Sequence, residues 1–366
     1  MLEKGKISSF QMGIMMYPVV VGTADLLLPG ITAKFAKNDL WISPIIASLM
    51  GLFTLFIAYQ LHRLYPKQTI IQYSKHIIGR IPGKILGIIY LSFFLHVNGL
   101  IIRQYGEFIV GSFLPRTPIS VVISTMILVC AFAVCGGIEV LGRASQFFVP
   151  IVVLLWGVIV ILLIPDMDPK NILPILEKGI TPPIIGAITP MGWFTHFILI
   201  SFILPFVTDQ EKGMKWGIIS IFGIMITLVL LNMTTFFVFG RNTANYLYPV
   251  MFAVRYISIA DLFEQIDPVI VAIWVSGTFI KISVYYYALV LGTTQWLNLS
   301  NCRPVILPLG FLLILFSFWS IPSLLELVHF FRIVPFYNMT IEMVIPTFLL
   351  LIAVLRNRNR QKAQNE

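Results

Sequence analysis

The sequence predicts an all-α polytopic membrane protein of about ten transmembrane helices, built as two inverted five-helix repeats with broken helices one and six. Three observations carry this expectation. The chain has 366 residues, of which 58% are hydrophobic and 11% charged, with a mean hydropathy of +0.91; soluble domains carry about 25% charged residues. Ten apolar runs of membrane-crossing length follow one another. Runs one and six, equivalent in two halves of opposite orientation, each carry a Gly or Pro interruption, the sequence pointer to a transporter-type site at mid-membrane.

Run one covers residues 10–35 and contains PVVVGTADLLLP at 18–29. Gly22 and Thr23 weaken the helix at mid-depth, and Asp25 places a carboxyl near the bilayer centre. A charge there costs at least ~2.5–3.5 kcal/mol on insertion scales, so Asp25 is a functional candidate; the alternative is a carboxyl that only fixes packing. Run two covers 40–61. The segment KQTIIQYSKHIIGR at 67–80 is too polar to span and reads as a short amphipathic helix on the membrane face.

Run three, 83–113, carries His96 and Asn98, facing the site or a neighbouring helix, and Arg103 with Glu107, spaced i, i+4 for pairing on one helix face. Run four, 118–137, holds Cys130 and Cys135; with Cys302 they match no zinc or disulfide pattern and read as small packing residues. Run five is 145–165. Run six, 185–208, contains ITPMG at 188–192, with Gly192 at the interruption and Thr195 and His196 just after it. His196 reads either as a hydrogen-bonded packing residue or as a ligand-contacting one.

Run seven is 214–240. Run eight, 268–297, holds Lys281 too deep to reach the interface, so its ammonium needs a partner. If run eight faces the break in run one, that partner is Asp25 or the carbonyl end of the first half-helix, and the ammonium stands where a sodium ion would otherwise bind. Runs nine and ten are 304–320 and 336–355. Glu342 is expected at the outer end of run ten, reaching the interface, with no role. The loops at 242–267 and 321–335 have room for short surface helices, and 356–366 is a basic tail. The repeats are expected at about 10–165 and 185–355, within one transmembrane domain.

Fifteen of the 25 Lys and Arg residues fall on the side of the termini, eight on the other, and Arg103 and Lys281 lie within runs. This bias places both termini in the cytoplasm. Because the basic residues sit in short loops, the net charge of +9 reflects topology and not a nucleic-acid partner. The first run is too long for a cleavable signal peptide. Three Asn-x-Ser/Thr matches are discounted as chance. No nucleotide loop, HExxH, GxSxG or Cys/His metal pattern occurs, so neither enzyme nor cofactor nor metal is expected.

The chain resembles the B subunit of bacterial spore nutrient-germinant receptors, the spore-permease branch of the amino acid–polyamine–organocation transporter superfamily. The resemblance rests on ISSFQMGIMMYPVVVGTADLLLP, PKQTIIQYSKHIIGRIPGKILG, IIRQYGEFIVGSFLPRTP, WFTHFILISFILPFV and GTFIKISVYYYA, in that order and spacing. It implies a five-plus-five fold in the inner membrane of an endospore, and assembly with a membrane-embedded A subunit and a lipoprotein C subunit. It also implies recognition of a small nutrient, an amino acid or another metabolite, between 21–25 and 189–196. Where relatives are expected to carry glutamate in an F-G-E pattern, this chain has His196. The candidate ligand-binding residues are therefore Gly22, Thr23, Asp25, Asn98, Gly192, Thr195 and His196, with Lys281 in an ion-like role. Three functional readings follow: a ligand-sensing receptor subunit, a proton-coupled amino acid permease, and a scaffold that binds no ligand. Polar residues at both interruptions argue against the scaffold.

Overall fold

The computed structural model describes residues 3–255, 257, 267–321, 326 and 330–365. The chain order is α1 (Ser9–Ala36), α2 (Ile42–Leu64), α3 (Ile70–Ile78), α4 (Arg80–Ser112), α5 (Ile119–Cys135), α6 (Gly137–Leu163), α7 (Thr181–Phe194), α8 (Ile200–Ile203), α9 (Gly213–Phe239), α10 (Pro249–Val254), α11 (Asp267–Leu297) and α12 (Arg303–Trp319). It closes with α13 (Val334–Met339), a π-helical turn (Thr340–Val344) and α14 (Ile345–Asn365). Each expected apolar run is helical. Among the described residues, eight helical segments have the length and hydropathy to cross a membrane, and α5 and α12 are apolar but only 17 residues long. Of the expected loop helices, a 3-10 segment (Gly240–Asn245) and α10 lie in the first loop and α13 begins in the second; residues 256, 258–266, 322–325 and 327–329 lie outside the described ones.

Helix α1 is the axis of the bundle. It starts at Ser8, whose hydroxyl accepts from Gln11 N while the Gln11 side chain accepts from Ser8 N, a reciprocal cap that satisfies two orphan donors. In its most apolar stretch 89% of residues are buried, against 28% for α6, and it packs on α6, α7, α9 and α11. Helix α2 packs on α7 as α1 packs on α9. Counting apolar runs, the first pairing joins runs two and six, the second runs one and seven.

The two interruptions take different forms. The expected break in run one is not a gap, because α1 is helical from Ser9 to Ala36. Its ladder is loosened instead. Pro29 has no N–H for the Asp25 carbonyl, Leu26 N donates to Asp25 Oδ1 (2.9 Å), and the Gly22 carbonyl accepts from Thr278 Oγ1 (2.9 Å). Run six does change conformation: α7 gives way to a 3-10 segment at Thr195–Leu199, then to α8 and a second 3-10 turn at Leu204–Phe206. The Thr195 hydroxyl oxygen lies 2.8 Å from the Gly192 carbonyl.

The loops sort to two ends, as the basic residues imply. At one end Ile7 pairs with Val207, Ser9 N donates to Asp209 Oδ1 (2.6 Å), Tyr59 OH to the Gln210 carbonyl (2.7 Å), and Lys6 N to Glu139 Oε1 (3.0 Å). The Ser9 N–H holds the Asp209 carboxyl below the usual carboxylate range. Helix α3 belongs to this end. It turns its apolar face into the protein, with Ile70, Ile71, Tyr73 and Ile77 buried, and Arg356 caps its C-terminus through the His76 and Ile77 carbonyls (3.1 and 2.5 Å). At the other end Asn38 Nδ2 donates to the Leu173 carbonyl, Leu176 N to Asp39 Oδ1 (both 2.9 Å), and Asp168 N to the Phe237 carbonyl (3.0 Å).

Helices α1 and α11 touch backbone to backbone. A Cβ on Gly22 would lie 2.8 Å from the Gly277 carbonyl, whereas one on Gly111 would meet nothing within 4 Å. Overpacking costs about 1–3 kcal/mol, so Gly22→Val is expected to lower the apparent melting temperature in detergent while Gly111→Ala leaves it unchanged. Equal melting of Gly22→Val and the parent would show that no such contact exists.

Candidate functional site

Lys281, 1% exposed, sits one turn beyond Thr278 on α11. Its Nζ donates to Thr23 Oγ1 at 2.6 Å. The Thr23 carbonyl accepts from Gln104 Nε2 of α4 (3.4 Å). Thus three helices meet at the residue following the Gly22 crossing. Of the two partners expected for Lys281, neither is its direct contact: no carboxylate lies within ion-pair distance of it among the described residues. Asp25 and Glu342 act on it through space.

The second cluster is built around Glu342, which is 0% exposed. Its Oε2 takes His196 Nδ1 at 2.7 Å and Thr195 Oγ1 at 2.8 Å, and its Oε1 takes Tyr285 OH at 3.4 Å. With the carboxylate ionised, Nδ1 of His196 carries the proton and Nε2 is left as an acceptor. The Tyr285 ring meets the imidazole edge to face, centroids 5.5 Å apart. The π turn and Pro346 explain why run ten can aim a carboxylate inward. A π turn displaces the side chains of one turn, and Pro346 provides no N–H to the Glu342 carbonyl. Placing Glu342 at the membrane interface is therefore corrected: it is in the core, joined to run six.

Between the clusters lies a narrow cavity of about 410 Å³, counting space open to the outside. Thr23, Gln104, His196, Lys281 and Asn338 supply its polar atoms, and Val97, Leu100, Ile101, Trp193 and Phe331 are among its apolar walls. No carboxylate lines it; Glu342 is bonded to His196 and Asp25 lines a separate small cavity. Asn338 Nδ2 donates to the Gly192 carbonyl (3.2 Å), while its Oδ1 is buried without a partner.

The expected ligand residues divide accordingly. Thr23 and His196 line the cavity beside Lys281. Gly22 and Asp25 line a separate small cavity with Tyr17 and Gly277, and the indole N–H of Trp274 lies near the Asp25 carboxyl without a hydrogen bond of its own. Asn98 donates to the Ile282 carbonyl (3.3 Å) and leaves its buried Oδ1 unpaired. Thr195 is spent on Glu342 and Gly192. Gly192 is a close-approach residue: a Cβ there would lie 2.6 Å from Pro335 Cα. Neither glycine is the free N-terminus of a half-helix. Arg103 and Glu107 do pair, at 2.6 Å.

A family model described as "Spore germination protein" matches residues 6–324. The chain belongs to the spore germination protein family. Among curated members of this spore-permease family, spore germination protein KB of Bacillus subtilis (strain 168) is 26% identical over 374 residues, covering 100% of this chain and 99% of that protein. Spore germination protein A2 of the same organism is 23% identical, covering 86% and 87%. Spore germination protein XB of Bacillus anthracis is 26% identical over 68% and 70%. The fold is shared with a crystal structure of MhsT in complex with L-phenylalanine (TM-score 0.67, 12% identity, 95% of this chain and 89% of that one). It is shared also with a Na+-coupled sialic acid symporter in a substrate-bound outward-open state (TM-score 0.66, 14% identity, 93% and 80%). This spore permease is thus a multi-pass helical protein on a transporter scaffold.

The sequence reading missed Glu342, Gln104, Asn338 and Tyr285. A signal was present for two of them: Asn338 and Glu342 are spaced i, i+4, a polar stripe on one face of an apolar run. Removing one partner of a buried pair costs about 3–5 kcal/mol, so Glu342→Ala and His196→Ala are each expected to lower the apparent melting temperature sharply. The double variant is expected to be no worse than the worse single one, since both changes remove the same contact. Additive losses would mean that the two residues act separately.

Proposed function

We propose that the chain is a germinant-receptor subunit that binds a small nutrient in the cavity between α1, α4, α7 and α11 and passes binding on to partner subunits. The observation that carries this reading is the cavity's lining. Lys281 presents an ammonium and no carboxylate lines the cavity, which suits a ligand carboxylate, while His196 Nε2, left as an acceptor, suits a ligand's ammonium. The apolar walls suit a modest aliphatic or aromatic side chain. An amino acid or comparable metabolite meets both requirements, and MhsT, of the same fold, is solved with L-phenylalanine. His196 is tied to the π turn through Glu342, so a ligand that displaces the imidazole biases the packing of runs six and ten. That is a population shift between two arrangements.

In this reading Lys281 takes the place of a coupling cation beside α1, and the nutrient response does not depend on sodium. The two repeats, about 10–165 and 185–355, are inverted copies; the matched packing of α1 on α9 and α2 on α7 supports that assignment. The subunit sits in the inner spore membrane with both termini on the core side, and works with a membrane-embedded A subunit and a lipoprotein C subunit. The likeness to a Na+-coupled symporter favours a second reading, a proton-coupled amino acid permease.

Three measurements test these statements. Thermal-shift titration of the purified protein with amino acids and their decarboxylated amines is expected to show stabilisation by the acids only, lost in Lys281→Met. Stabilisation that the amines share would remove the carboxylate from the proposal. Replacing sodium by choline is expected to leave the response intact, and a strict sodium requirement would refute the role given to Lys281. Uptake of labelled amino acid into proteoliposomes would favour the permease.

Cysteine labelling tests the orientation. Cysteines placed in 63–84 or in the tail are expected to be shielded from an impermeant reagent outside intact cells, and those near Lys178 to react. The reverse pattern would invert the topology.

A further inference from the structure

At the end of the bundle opposite the termini lies a polar recess of about 690 Å³, counting space open to its surroundings. Lys37, Lys178 and Arg241 line it, and all three side chains are exposed, so an incoming group can reach them. Three segments supply them. Lys37 ends α1, Arg241 follows α9, and Lys178 belongs to the stretch between α6 and α7. The fold holds these segments together. Asn38 and Asp39 tie that stretch to the end of α1 through the Leu173 carbonyl and Leu176 N. Asn171 Nδ2 ties it to α9 through the Phe237 carbonyl (3.0 Å). As a result the Lys37 and Lys178 ammonium groups stand beside one another, with Arg241 near enough to act on Lys37. Like charges so placed repel.

Among the described residues, nothing neutralises them. None of the three forms an ion pair. Glu177 lines the recess without coming within ion-pair distance, and Asp39 Oδ1 is taken by Leu176 N. The carbonyl ends of α1 and α9 give a reason for one cation each. They give none for Lys178, which precedes the N-terminus of α7, an end that itself carries positive partial charge. Topology gives none either, because basic residues concentrate at the opposite end and only eight fall on this side.

We propose that this recess binds a phosphate group, held by the Arg241 guanidinium and the two ammonium groups. A tetrahedral phosphate accepts hydrogen bonds from several directions at once, which suits donors arriving from three segments. A planar carboxylate is approached mainly in its own plane. The surroundings favour the phosphate of a phospholipid over free phosphate. Phe35, in the last turn of α1, walls the recess and is exposed, as are Ile180 and Ile184 at the start of α7. Charged groups thus adjoin apolar ones where the membrane-crossing helices end, the level of lipid head groups, and basic pockets between membrane helices take such groups. The site is separate from the nutrient cavity and does not rest on the receptor reading.

Purified full-length protein in detergent is titrated with dioctanoyl phosphatidylglycerol, dioctanoylglycerol, octanoate and inorganic phosphate at constant ionic strength, and the thermal shift is followed. Phosphatidylglycerol is expected to stabilise the protein, the two phosphate-free amphiphiles to have no effect, and inorganic phosphate to act only at concentrations at least tenfold higher. Equal action by inorganic phosphate would keep the site and assign it to the free anion. The variant Lys37→Gln/Lys178→Gln/Arg241→Gln is expected to raise the phosphatidylglycerol midpoint at least tenfold. Arg116→Gln, on the same side but outside the recess, is expected to titrate as the parent does. Without ligand the triple variant is expected to melt no lower than the parent, since its cations oppose one another; lower melting would assign them to the fold and overturn the proposal. So would the absence of any phosphate-dependent shift, a shift shared by octanoate or dioctanoylglycerol, or an unchanged midpoint in the triple variant. If that variant does not accumulate, Lys178→Gln alone is titrated, and an unchanged midpoint there has the same force.

Discussion

A carboxylate removed from all solvent in an apolar bundle has to be given its partners by the fold, and Glu342 is the group to which the centre of this molecule answers. Three donors from two segments converge on it: Thr195 and His196 from the 3-10 turn of run six, and Tyr285 from α11. Each is a condition on backbone geometry. Run six abandons the α-helix at Thr195, where two successive polar side chains must face one acceptor. Run ten adopts a π turn where it must aim a carboxylate inward. Replacing such a network by apolar groups is often neutral for stability, so its presence points to a requirement beyond holding the fold together.

Beside that centre the cavity is lined by nitrogen groups and no carboxylate. Lys281 and His196 face the cavity, while Glu342 is bonded to His196 and Asp25 lines a separate small cavity. A carboxylate entering the cavity meets the Lys281 ammonium and no opposing carboxylate, while His196 Nε2 can take a donor. Membership of the spore germination family and the shared fold with MhsT fix the scaffold. They do not fix the chemistry, since one fold hosts many functions; that rests on these side chains.

Much of the architecture was legible because bilayer thickness imposes a length on every crossing segment and apolar runs of that length are conspicuous. The placement of Lys281 near α1 followed from a similar constraint, a deep ammonium needing a partner, although Thr23 and not a carboxylate supplies it. What stayed hidden was which face of each helix turns inward. Gln104 and Glu342 look peripheral in a linear sequence, because a polar residue near the end of an apolar run is ordinarily assigned to the interface. Only the packing of α4 and the π turn brings them to the centre. The form of the first interruption was hidden for another reason. Gly22 was legible as a weak point of a helix, whereas its use as a contact with Gly277 depends on a residue 255 positions later.

That contact has a mechanical meaning. Two helices whose main chains touch at one glycine on each have no clearance for sliding. A side chain at the Gly22 position would strike the Gly277 carbonyl, 2.8 Å from where its Cβ would stand, so only glycine fits at the crossing. Turning about the point of contact meets no such obstacle. The crossing is thus a pivot, and the two arms of α1 form a lever about it.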